Sequence, residues 1–280
     1  MIIEGAFLKL PELLLGSSAS RRHYEATLVS HLAMGVLLEL NARSISIPMH
    51  RIHIERAYND STKSRTPGRA DLYVDLSGIY AVGRWYELYG MKSHNWIEAK
   101  HFSGIKNKGD SQKKTMHAAS IALDLLRLCL FVKEERSKNR DRGRYLLLVF
   151  NRRPEDYLSL TRRSAEYSER QWLQNLLLPG ENEIELSVAE EPSIFRKVFF
   201  KRASDTDDQL KLKLRISTLS FSPSRESSVY LYWGYLIRII DFELSCFDKS
   251  LIYKDASQEF WTLDQEETQT WLIQRLMPLQ

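Results

Sequence analysis

Apolar residues recur along this chain at two periods, about 3.6 in some stretches and two in others, and the changes between them mark its elements. Residues 1–16 are apolar, punctuated by Pro11 and Gly16, and predict a short helix or an arm laid over the core. From Arg21 to Leu40 the spacing of Ala26, Val29, Leu32, Ala33, Val36, Leu37 and Leu40 is helical, with Ser17, Ser18 and Ser20 available as caps. Alternation then takes over. Ile45, Ile47 and Met49, followed after a slip by Ile52 and Ile54, predict a half-buried strand over 45–58, in which Pro48 marks an edge or bulge. A second strand over 70–76 places Asp71, Tyr73 and Asp75 on one face and Leu72, Val74 and Leu76 on the other. Ser77-Gly78 turns the chain, and residues 79–89 add an aromatic hairpin arm. A third strand covers 94–102, where Glu98 and Lys100 share a face and Ile97 and Ala99 take the opposite one.

A long helix follows, capped by Asp110 or Ser111 and running to about Glu135 on the spacing of Ala118, Ile121, Ala122, Leu125, Leu128, Cys129 and Val132. A basic loop over 136–144 leads into Tyr145–Phe150, an unbroken apolar run typical of a fully buried strand. Helix, three strands, helix and strand predict a mixed α/β layer built around one sheet. Beyond Asn151, residues 171–178 predict a short helix stopped by Pro179-Gly180. Residues 210–221 and 229–244 predict two strands joined by a loop over 222–228, a hairpin that extends the first sheet or forms a small subdomain. Residues 265–279 predict a final helix. The organisation expected is therefore an α/β region over 1–150 and a β-rich extension over 151–280.

Composition narrows the class only modestly. With 43% hydrophobic and 27% charged residues, the chain of 280 falls among globular proteins able to bury a large core. Its 40 basic against 36 acidic residues give a net charge of +4, too small to name a partner. Two cysteines, Cys129 and Cys246, both in apolar runs, point to buried thiols in a reducing compartment. With no basic start before a long apolar run and no stretch near about 20 apolar residues, a cytoplasmic protein without membrane contact is expected. There is no phosphate-cradling Gly-x-x-x-x-Gly-Lys loop, and His50, His53, His94 and His101 lack the spacing of a zinc set.

The chemistry concentrates on Glu98-Ala99-Lys100, the single acid-x-Lys triplet in the sequence. Two opposite charges on one face of a mid-chain strand make either a surface ion pair, worth under about 1 kcal/mol, or half of an active site. Asp71 opens the preceding strand. If the strands are neighbours, Asp71, Glu98 and Lys100 converge, and two close carboxylates find a stable solution in Mg²⁺ or Mn²⁺. Such a cation polarises a phosphate and acidifies water, with Lys100 beside the developing charge. Asp75, on the Asp71 face, is an alternative ligand.

Gly68-Arg69-Ala70-Asp71 before an apolar strand, then Trp96-Ile97-Glu98-Ala99-Lys100, then a helix and a buried strand, resemble the PD-(D/E)xK phosphodiesterase superfamily over residues 20–150. The proline beside the first acid is missing, Pro67 lying four residues upstream. The resemblance implies a restriction-endonuclease-like mixed sheet flanked by helices, with Asp71, Glu98 and Lys100 catalytic. It further implies Glu25 on the first helix as a third metal ligand, Glu39 being less favoured, and Gln112 on the following helix in support. Residues 151–280 carry no such resemblance. Lys106, Lys108, Lys113 and Lys114 follow the site and, with Arg69, are candidate phosphate contacts. Arg136, Lys138, Arg140, Arg142 and Arg144 serve equally as phosphate contacts or as solvated loop charge. The leading expectation is a metal-dependent DNA endonuclease of restriction or defence type, working as a homodimer that cuts both strands. A structure-specific or transposition nuclease is a second reading. A non-catalytic nucleic-acid-binding module on the same scaffold is a third.

Overall fold

A computed structural model of the chain describes residues 2–16, 25–57, 69–79, 92–103, 111–132, 142–158, 170–199, 210–223, 232–246 and 253–254. Among these it is mixed α/β, with six α-helices and a mixed sheet. The chain forms two compact units that interleave along the sequence, one from residues 1–104, 131–152 and 219–238, the other from 105–130, 153–218 and 239–280.

The first unit begins with two helices, α1 (Ile2–Gly16) and α2 (Glu25–Ala42). They approach so closely at Gly35 that an added Cβ would lie 2.8 Å from the Ala6 carbonyl, so a larger residue there would force them apart. Four strands follow: β1 (Ile52–Ala57), β2 (Arg69–Asp75), β3 (His94–Phe102) and β4 (Arg142–Phe150). β1 pairs antiparallel with β2, β2 antiparallel with β3, and β3 parallel with β4. The sheet face carrying Leu72, Val74, Ile97, Ala99, Leu147 and Val149 is sealed by α1 and α2 through Phe7, Leu10, Leu28, Leu32 and Val36. That packing explains the alternation read in 70–76 and 94–102. Every second residue is a core residue, and its neighbours are left on the other face.

One stretch departs from its pattern. Pro48–Arg51 is a 3₁₀ turn, and the strand begins only at Ile52. Proline fixes its own φ and offers no N–H to a ladder, while Ser44 and Ile47 before it adopt left-handed backbone at φ 54° and 51°. Ile47 and Met49, expected on a buried face, are each 66% exposed. At the other end, β4 starts at Arg142, so Arg144 is a strand residue. It is 2% exposed and donates from Nη2 to the Val132 carbonyl at 3.0 Å, which removes it from the solvated basic loop.

The second unit contains most of α3 (Ser111–Phe131), the single turn α4 (Pro154–Tyr157), α5 (Gln171–Leu177) and α6 (Ser193–Phe199). Its strands are β5 (Gly180–Ser187), parts of β6 (Leu210–Phe221) and β7 (Trp233–Cys246), and the short β8 (Tyr253–Lys254). β5 pairs antiparallel with β6, and β8 antiparallel with β7. Within the first unit, the start of β7 neighbours β4 in the strand order. The expected hairpin arm over 79–89, beyond Ile79, and the final helix over 265–279 lie outside the described residues. Among the described residues no helix is long and apolar enough to cross a membrane.

Candidate functional site

The β2–β3 ladder runs from Asp75↔His94 to Leu72↔Ile97. One register step further, Asp71 faces Glu98. There the main-chain pairing gives way to a side chain, since Asp71 Oδ2 accepts the N–H of Ala99 at 2.7 Å. This bond fixes the Asp71 carboxylate between the two charged residues that flank Ala99. Among the described residues Asp71 Oδ1 has no hydrogen-bond partner. Glu98 is 4% exposed, Lys100 is half-buried, and strand alternation puts both on the face away from α1 and α2. The register thus sets a second carboxylate across the ladder from the buried Glu98.

The same face continues away from the pair as an aromatic and basic row. Tyr73, buried, lies 4.6 Å from Trp96 between ring centroids, and its hydroxyl meets His94 Nδ1 at 2.7 Å. His53 of β1 approaches the Tyr73 ring at 5.6 Å, and the Arg56 guanidinium lies 4.2 Å above it. Asp75 closes the row. Burial pushes its carboxyl up, but hydrogen bonds from the Ser77 hydroxyl and N–H, with His94 and Arg51 nearby, outweigh that and hold it below the usual carboxylate range. Committed to Ser77 and to His94 at 3.8 Å, Asp75 is placed as a structural acid at the far end of β2 from Asp71.

The remaining sequence-selected residues have settings of their own. Glu25 is the exposed first residue of α2, whose helix packs on the sheet face opposite to Glu98. Glu39 is tied to Lys9 at 2.7 Å and Arg43 at 3.1 Å. Burial raises its carboxyl less than those two cations lower it, so its pKa is depressed. Arg69 lies next to the site in sequence and forms an exposed pair with Glu55 at 3.6 Å. Gln112, Lys113 and Lys114 belong to the second unit, at the start of α3, where Lys114 Nζ donates to the Glu155 carbonyl at 2.9 Å. Lys106, Lys108, Arg136, Lys138 and Arg140 lie outside the described residues.

Among the described residues no group of three or more His, Cys, Asp or Glu side chains is placed to hold a metal. Asp71 and Glu98, one register step beyond the last paired residues of β2 and β3, are the two acids that the ladder aligns. Comparison with family models, curated proteins and solved structures gives no match.

Arg56 was not visible from the sequence as a site residue. Its register partner is Ala70, a core-facing position, so alternation assigns it to the α-helical side. Glu55, just before it, adopts a left-handed conformation at φ 54° in mid-strand, and the Arg56 guanidinium lies over the Tyr73 ring. Nothing in the local sequence announces such a residue.

Proposed function

We propose that this protein is a metal-dependent DNA endonuclease of restriction or defence type, with Asp71, Glu98 and Lys100 at its reacting centre on a restriction-endonuclease-like sheet. The observation that supports this reading is the register that sets Asp71, held by the Ala99 N–H, across the β2–β3 ladder from buried Glu98. Asp71 Oδ1 and the Glu98 carboxylate would hold Mg²⁺ or Mn²⁺. The cation, when bound, supplies Lewis-acid charge for a phosphate oxygen and lowers the pKa of adjacent water. The chain's own residues do the rest. The Ala99 N–H orients Asp71, Ile97 and Ala99 anchor β3 in the core, and Lys100 stabilises negative charge growing on the attacked phosphate. Cutting both strands of a duplex calls for two such sites, which a twofold homodimer supplies.

The test is cleavage of mixed-sequence duplex DNA by purified protein in Mg²⁺. The expected result is strand scission that stops with EDTA and falls by about 10²–10³ in Lys100→Ala, the loss typical of removing one transition-state charge stabiliser. DNA left intact by wild type in Mg²⁺ and in Mn²⁺ would overturn the reading in favour of a non-catalytic binding module.

A further inference from the structure

We infer that Arg56, seated on the Tyr73 ring, is a nucleic-acid phosphate contact that positions the DNA backbone beside the Asp71–Glu98 pair. The inference rests on the function proposed above and names a residue of this chain that would recognise the substrate. Three observations support it.

The first is position. Tyr73 stands two residues from Asp71 on the same strand and face, about 6.8 Å along it. Successive phosphates of one DNA strand are separated by about 3.4 Å of helix axis, so a phosphate at the carboxylates brings a neighbour within reach of an arginine over Tyr73. The second is charge. Among the described residues no carboxylate pairs with Arg56, whereas Arg69 is engaged with Glu55. A guanidinium over an aromatic face is held by that ring while its in-plane N–H donors stay available for a phosphate fork. The third is the backbone. Glu55, directly before Arg56, holds a left-handed φ of 54° in mid-strand, and although Arg56 is paired with core-facing Ala70 its guanidinium lies on the Tyr73 ring. A conformation that L residues rarely adopt thus adjoins the one cation seated on that ring among the described residues. His53, exposed, and His94, half-buried, flank the same ring and add donors to this row.

The experiment measures binding of a duplex oligonucleotide at several salt concentrations, with Ca²⁺ as the only divalent cation, for wild type, Arg56→Ala, Arg56→Lys and Lys9→Ala. Lys9 is a control for loss of a positive charge, since it lies on α1 and pairs with Glu39. Loss of one phosphate contact lowers the slope of log K against log[salt] by about 0.9. Arg56→Ala is expected to show that drop, Lys9→Ala to keep the wild-type slope, and Arg56→Lys to keep the slope with weaker binding, because an ammonium preserves the charge and loses the fork. Thermal unfolding of each variant separates a folding defect from a lost contact, and the lysine variant retains the readout if alanine unfolds the chain. Wild-type slope and affinity in Arg56→Ala, in a protein that still cuts DNA, would overturn this inference and leave the nuclease reading standing. Failure of wild type either to bind or to cut would overturn both.

Discussion

Glu98 and Glu191 are both buried carboxylates, 4% and 8% exposed, set in opposite kinds of surroundings. In the second unit, Glu191 takes a hydrogen bond from Arg170 Nε at 2.8 Å on one oxygen and from Trp172 Nε1 at 2.8 Å on the other. Arg170 then donates from Nη2 to Thr115 Oγ1 at 3.3 Å, and its ion pair with Glu191 is as buried as the acid. Charge and donors are matched within the fold, so this cluster is closed. In the first unit, the residue across the ladder from Glu98 is another acid, Asp71, with Oδ2 turned to a main-chain N–H. Equal burial therefore goes with different neighbours: Glu191 is tied to Arg170 and Trp172, whereas the register sets a second acid across the ladder from Glu98, the position that the proposed function reads as a cation site.

Stability measurements are the strongest way to break that comparison. Glu191→Ala leaves Arg170 buried without its partner and is expected to lower unfolding free energy by about 3–5 kcal/mol in urea titrations. Glu98→Gln in metal-free buffer is expected to cost less than Glu191→Ala, because the amide keeps the shape and hydrogen-bonding capacity of the side chain and removes one of two like charges across the ladder. Similar losses in the two variants would erase the distinction.

A smaller effect sharpens it from the other end of β2. The pKa of Asp75 is depressed in the folded state, so its contribution to stability is present above its unfolded pKa and is lost as pH falls through the folded value. Wild type and Asp75→Asn should therefore differ most in melting temperature near neutrality and converge below the usual carboxylate range. A difference that stays constant from pH 7 to the acid range would show that Asp75 does not act through its charge.

What could be read from the chain followed from how many positions each element buries. β3 is legible to its ends because one face is wholly core, and the period of two in Ile97 and Ala99 leaves Glu98 and Lys100 nowhere else to point. α2 and α3 were legible for the same reason at the helical period. Residues 45–51 misled because Ile45, Ile47 and Met49 alternate without being buried on one face, and Pro48 closes a turn there. β5 escaped because its run Glu181-Asn182-Glu183 is polar and its pairing depends on β6, 38 residues away in sequence at Gly180↔Thr218 and 24 at Ser187↔Lys211. α6 escaped because seven residues are too few to establish a period. At the site, Asp71, Glu98 and Lys100 were visible as residue types on adjacent strands. The hydrogen bond to Ala99 and the placement of Arg56 over Tyr73 were not, since each depends on backbone geometry at a single step of a ladder.

Titration with Mn²⁺, followed by its paramagnetic resonance, puts the cation site proposed on Asp71 and Glu98 to the test. Wild type should bind saturably, and Glu98→Gln or Asp71→Asn should each weaken binding by at least about tenfold, more than loss of an outer-shell partner commonly costs at its lower limit. Asp75→Asn should bind as wild type does. Undiminished binding in Glu98→Gln, or no binding by wild type, would contradict the account.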